Sequence, residues 1–152
     1  MALDIRSEAF TRWCREAVEH GLFEAHWREV GRYKEKIQLE PDFQKLTMFE
    51  RGQILASFTV RDNGRLVGYS MFICTPALHY MSHVVAYNDA IYVVPELRGA
   101  AGRALIQVAE RELIARGASK IVYHFKVAHD RGPLMDKLGY EAAENIYEKL
   151  VI

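Results

Sequence analysis

The chain has 152 residues, 50% apolar and 26% charged, the balance of a globular chain that folds as one domain, 1–152, and buries its own core without a disulfide or metal staple. Twenty Lys and Arg against twenty Asp and Glu leave no formal net charge, so no overall field draws the protein toward nucleic acid or an anionic membrane. Cys14 and Cys74 read as reduced thiols; with a charged opening stretch, MALDIRSE, and no window near the ~20 apolar residues of a membrane span, the expected location is the cytoplasm.

The first third is helical in period. Phe10, Trp13, Cys14, Ala17 and Val18 form one apolar stripe behind Ser7, a candidate N-cap, and Phe23, His26, Trp27, Val30 and Tyr33 form a second after Gly21. A short third helix is predicted from Pro41 to Gly52, burying Phe43, Leu46 and Phe49. From Gln53 the period becomes two: Ile54, Ala56, Phe58 and Val60, then the turn Asp62-Asn63-Gly64-Arg65, then Leu66 to Cys74, a β-hairpin. After a loop around Pro76, Val84 to Val94 reads as a strand ended by Pro95, and Gly102 to Arg116 as a helix stopped by Gly117. Lys120 to Val127, apolar on both sides, reads as a central strand, Pro133 to Leu138 as a short helix closed by Gly139, and Ile146 to Ile152 as a final strand. The order predicts an α+β (α/β) fold on one mixed, mostly antiparallel sheet flanked by helices.

The segment from Asn88 to Ala118 carries the chemistry. A strand ends at Pro95 and a helix begins a few residues later, after Gly99, Ala100, Ala101 and Gly102. Backbone N–H groups at a helix start have no intrahelical partner and sit at the positive end of its dipole, so small residues there leave room for a phosphate, and Arg98 and Arg103 add charge beside it. The same small residues also suit a plain tight connection. His79 and His83 bracket HYMSH in the preceding loop, but no third ligand stands near and no metal is expected. His26 and His124 read as packing residues, and His129 with Asp130 as the cap of the short helix.

Val93-Val94-Pro95-Glu96-Leu97-Arg98-Gly99 resembles the V-x-P-x-x-R-G segment of the GNAT superfamily of N-acetyltransferases, and LMDKLGYE from Leu134 looks like that family's L-Y-x-K-x-G-F helix end, with Lys137, Gly139 and Tyr140 at matching positions. The turn is one residue shorter than the family pattern, Met135 stands where many members carry a tyrosine beside the departing thiolate, and Ala128 where many have an asparagine that touches pantetheine. The resemblance implies a GNAT-like acyl-CoA acyltransferase fold with splayed central strands, and direct transfer of an acetyl group from acetyl-CoA to a primary amine on a small molecule or a protein. It further implies backbone contacts to pantetheine at Ile91 and Val93, and a pyrophosphate site at Arg98, Gly99, Ala100, Ala101, Gly102, Arg103 and Ala104. Asp89, with Tyr87, lies at alternate-residue spacing from Ile91, so this strand offers a carboxylate base on the face of Ile91, although an Asp beside Asn88 at a strand start equally suits a local backbone bond or a β-bulge. The loop carrying His79, Tyr80 and His83 is the expected border of the acceptor site. The partners implied are acetyl-CoA and an amine, with neither nucleic acid nor membrane, and with a homodimer open; the alternative is a degenerate acyl-CoA binder or regulator of the same fold.

Overall fold

The chain opens with a strand where the sequence pointed to a helix cap. The computed structural model describes residues 3–152, and β1 (Leu3–Ser7) pairs antiparallel with β2 (Leu55–Asp62), Ile5 opposite Val60. Ser7 is therefore sheet, and helix α1 (Phe10–Glu19) begins at Ala9 with no cap from its own side chains. Its cap comes from a distance: the Glu50 carboxylate of α3 (Phe43–Arg51) accepts the N–H of Phe10 and of Thr11, the latter at 3.3 Å, and the Thr11 hydroxyl at 2.9 Å. Helix α2 (Leu22–Val30) follows Gly21, whose φ of +69° makes the break between the helices, and α3 starts two residues after Pro41 because Asp42 caps it, accepting the Lys45 N–H at 2.8 Å.

The hairpin forms as the sequence predicts. Asn63 and Gly64 both have positive φ, +49° and +85°, the backbone that matches the twist of β2 and β3 (Arg65–Ala77). Strand β3 runs past Pro76, and β4 (Tyr80–Val93) returns after a tight turn, so the expected loop is mostly ladder. Helix α4 (Ala100–Ala115) crosses over to β5 (Ala118–Val122), which pairs parallel with β4.

Two expectations fail at the C-terminal side. Strand order is β1-β2-β3-β4-β5, so β5 is an edge strand ending at Val122, with Ser119 and Lys120 exposed, rather than a central strand reaching Val127. Residues 146–152 form no strand: their alternation is real, but no strand edge receives it, and Tyr147 and Val151 stand 90% and 82% exposed. After β5 come a single turn at Val127–His129 and helix α5 (Gly132–Lys137).

The sheet buries two faces. Phe58, Phe72, Ala86 and Val93 pack with Leu105 and Leu113 of α4; Leu66, Tyr69, Met71 and Tyr92 pack with Phe10 and Trp13 of α1. Among the described residues no helix is long and apolar enough to cross a membrane.

Candidate active site

The site is set by a β-bulge. Met71 pairs with Ala90 but Phe72 pairs with Asn88, so β4 has one residue more than β3 here, and that residue is Asp89. Asn88 is buried and holds the bulge: its Nδ2 lies 3.1 Å from Ser70 Oγ, 3.2 Å from the Met71 carbonyl and 3.1 Å from the Ala90 carbonyl. The extra residue resets the alternation. Asn88 and Ile91 both belong to the α4 side, opposite Phe72 and Ser70, whereas Asp89 turns to the α2 side and lines a cavity of about 530 Å³. The expectation that Tyr87, Asp89 and Ile91 share a face is thus corrected, since the two-residue rule counts faces only along an unbulged strand. The cavity walls strip water from Asp89 and push its carboxyl above the usual aspartate range.

Strand β4 outruns its neighbour. The β4–β5 ladder ends at Tyr87 opposite Val122, leaving Asn88 to Val93 with no strand on that side. Which backbone groups this frees follows from the register with β3. The Val94 N–H donates to the Val67 carbonyl at 2.9 Å, hydrogen-bonded pairs alternate in an antiparallel ladder, and so Tyr92 turns its backbone groups to β3 while Ile91 and Val93 turn theirs outward. The Val93 carbonyl accepts Arg98 Nε at 2.9 Å from that outer side, leaving the Val93 N–H and both Ile91 groups facing the gap.

The gap leads to the start of α4. Gly99 takes φ +82° as the N-cap, and the first N–H to bond back into the helix is that of Arg103, on the Gly99 carbonyl at 2.9 Å. The amides of Ala100, Ala101 and Gly102 therefore have no intrahelical acceptor, whereas those of Arg103 and Ala104 are already engaged by the helix. The helix starts two residues before the sequence placed it. A Cβ built on Gly99 or Gly102 meets nothing within 4 Å, and both glycines line a second cavity of about 410 Å³ with Ile91, Val93, Phe125 and Arg131. Arg98 borders it too, but its guanidinium is ion-paired with Glu29 and lies over the Tyr92 ring, 5.6 Å from the centroid, so much of its charge is spent inside the protein.

The two cavities share the walls His26, Val30, Ile91, Phe125 and His129 and meet there. His26 bonds the Tyr69 hydroxyl through Nδ1 at 2.7 Å and stacks on Tyr92 with ring centroids 5.2 Å apart. Burial depresses its pKa to about 4, so it is neutral at pH 7, and burial raises the Tyr69 phenol well above its usual range. The spacing that makes His26 a packing residue is correct as far as it goes, but the sequence could not show that its buried face also closes the junction between two cavities.

Other predicted residues lie elsewhere. His79, Tyr80 and His83 sit at the far turn of the β3–β4 ladder, where His83 Nδ1 lies 2.9 Å from Ser119 Oγ, and none of them lines either cavity. Tyr80 is nine residues from Asp89 along β4, about 30 Å at ~3.3 Å per residue. Tyr87 is exposed and stacks on His124, their centroids 6.3 Å apart. On α5 Leu134 lines the second cavity while Met135 is buried beneath it, so a tyrosine at 135 would meet core packing. Asn88 is the side chain that holds the bulge, and the Asn-Asp pair inside a strand pattern is its signal in the sequence.

A strand that leaves its parallel neighbour, followed by a glycine-started helix whose amides face the gap, defines the class of acyl-CoA acyltransferase folds. The sequence carries the finer assignment: residues 15–140 match the model described as the acetyltransferase (GNAT) family, and the chain belongs to that family. It is an acetyltransferase of the GNAT type. Solved structures share the fold. An aminoglycoside acetyltransferase, HMB0005, from an uncultured soil metagenomic sample is 15% identical with a TM-score of 0.75, each chain covered over 100% of its length. The ribosomal-protein-alanine N-acetyltransferase of Brucella melitensis biovar Abortus 2308 is 24% identical with a TM-score of 0.71, over 100% of this chain and 97% of that one. The aminoglycoside N-acetyltransferase AAC(6')-Iy, solved in complex with CoA, is 18% identical with a TM-score of 0.73, over 99% and 95%. Among curated proteins no match was found.

Proposed function

We propose that this protein transfers the acetyl group of acetyl-CoA directly to a primary amine, with the pantetheine arm along the outer edge of β4 and the pyrophosphate at the start of α4. One observation carries the reading: the backbone groups of Ile91 and Val93 that β3 does not use point into a gap that runs to the free amides of Ala100, Ala101 and Gly102. The open space at Gly99 and Gly102 supports the fit, because a phosphate can approach amides that no side chain covers. Bound there, acetyl-CoA would supply an activated thioester, whose C–S bond breaks as the amine nitrogen bonds the acyl carbon and whose coenzyme A leaves as its thiolate. The residues of the chain do the rest. The Ile91 N–H donates to the acyl oxygen and steadies the charge that develops on it. Asp89, from the α2 side of the bulge, takes the proton that the ammonium must lose before its nitrogen can attack, and its raised pKa makes it a better acceptor than an ordinary aspartate. The neutral His26 and the Tyr69 hydroxyl close the junction and exclude bulk water from it.

The test is affinity. Gly102→Asp places a carboxylate in open space at the anion site, so the folded variant should bind acetyl-CoA at least about tenfold more weakly by calorimetry, roughly 1.4 kcal/mol. Unchanged affinity sinks the placement.

A further inference from the structure

The cavity on the α2 side is where an acceptor reaches Asp89, and its lining differs from what a polycation needs. Beside Asp89 the only other carboxylate on its walls is Glu40, and two cationic side chains, Arg32 and Lys126, balance these two. Arg32 is itself tied outward, its Nε 2.7 Å from Glu148. His26 adds no charge at pH 7, and the remaining walls are mostly apolar, among them Phe23, Trp27, Val30, Leu46, Met71 and Phe125. Ile37 and Leu39, 48% and 39% exposed, continue that surface onto the rim in the segment 31–42.

We propose that the acceptor is a lone primary amine carried on an aromatic or aliphatic body, and not a polyamine or an aminoglycoside. This rests on the acetyl-transfer reading above and names the substrate class of the same site. Asp89 accounts for one ammonium. Every further ammonium would give up hydration against mostly apolar walls whose one other carboxylate, Glu40, is offset in charge by Lys126, whereas an aromatic ring gains by leaving water for the same walls. The cavity size, about 530 Å³, is that of a small-molecule site.

The test separates donor from acceptor. Acetyl-CoA binding is measured by calorimetry, and kcat/KM by thiol release with 2-phenylethylamine, tryptamine, methylamine, spermidine and sisomicin. The expected result is acetyl-CoA binding, with kcat/KM for the two aromatic amines at least about tenfold above that for each of the other three. In Leu39→Glu, an exposed rim position, that preference for 2-phenylethylamine over spermidine should shrink severalfold. Acetyl-CoA binding with spermidine or sisomicin preferred, with methylamine as good as 2-phenylethylamine, or with no turnover of either aromatic amine overturns the proposed acceptor class and leaves the donor site standing. No acetyl-CoA binding overturns both.

Discussion

Asn88 and Ile91, three residues apart on β4, turn their side chains to the same face of the sheet. Between them the chain has room for Asp89 to face the other way, into the cavity beside α2. A buried amide bonded to Ser70, Met71 and Ala90 thus decides which way the carboxylate of the next residue faces.

Removing that amide should cost both fold and rate. Asn88→Ala leaves the Ser70 hydroxyl and two carbonyls without their donor, and about 1–3 kcal/mol of stability should be lost in urea denaturation. Turnover of the folded variant should fall further than its affinity for acetyl-CoA, because Asp89 loses its bearing. Lost stability with full turnover would show that Asp89 keeps its place without Asn88.

Asp89→Asn removes the proposed base, for which a loss of about 10²–10⁴ in kcat is expected. The sign of the pH dependence is fixed. The carboxylate form accepts the proton, so activity should rise with pH through the Asp89 pKa, and because burial raises that pKa the acid limb should lie above the ordinary aspartate range. In the asparagine variant that limb should disappear from the pH profile of kcat; its persistence would assign it to another group.

His26 predicts an acid instability. Its folded pKa, about 4, lies below the unfolded value near 6.5, so between these limits the unfolded chain binds the extra proton. Stability from this group is present in full above about pH 6.5 and is lost as pH falls toward about 4, to an extent of up to about 3 kcal/mol. Denaturation midpoints measured across this window should slope for the parent and slope less for His26→Gln; equal slopes would mean that other groups carry the effect.

The sequence exposed what depends on local chemistry and hid what depends on partners. Asn63-Gly64 supplies the two positive φ values of the hairpin turn by itself, and the stripe Phe10, Trp13, Ala17 needs only the helical period. Ser7, by contrast, has the side chain of a cap but pairs with Phe58, and the short strand it ends shows only two apolar residues, Leu3 and Ile5, too few for a period of two to stand out. The alternation from Ile146 onward is that of a strand, but pairing requires an edge to receive it, which no window of sequence reports. At the site, the glycine-started helix and the free edge of β4 were legible as motifs. The face of Asp89 was not, because one inserted residue inverts a period-two argument and the insertion is defined only against β3.

The carboxylate that starts α1 belongs to Glu50, 40 residues farther along the chain. During synthesis the residues that begin α1 are therefore made before the group that satisfies its leading amides, a delay of about 2–8 s at ~5–20 residues per second. A ten-residue helix is marginal on its own, so α1 holds its final form only once α3 is present to close it. Helix α1 is in this way bound to the arrival of α3, and α2 with the segment 31–42, which supplies walls of the cavity beside Asp89, lies in sequence between the two helices that Glu50 joins.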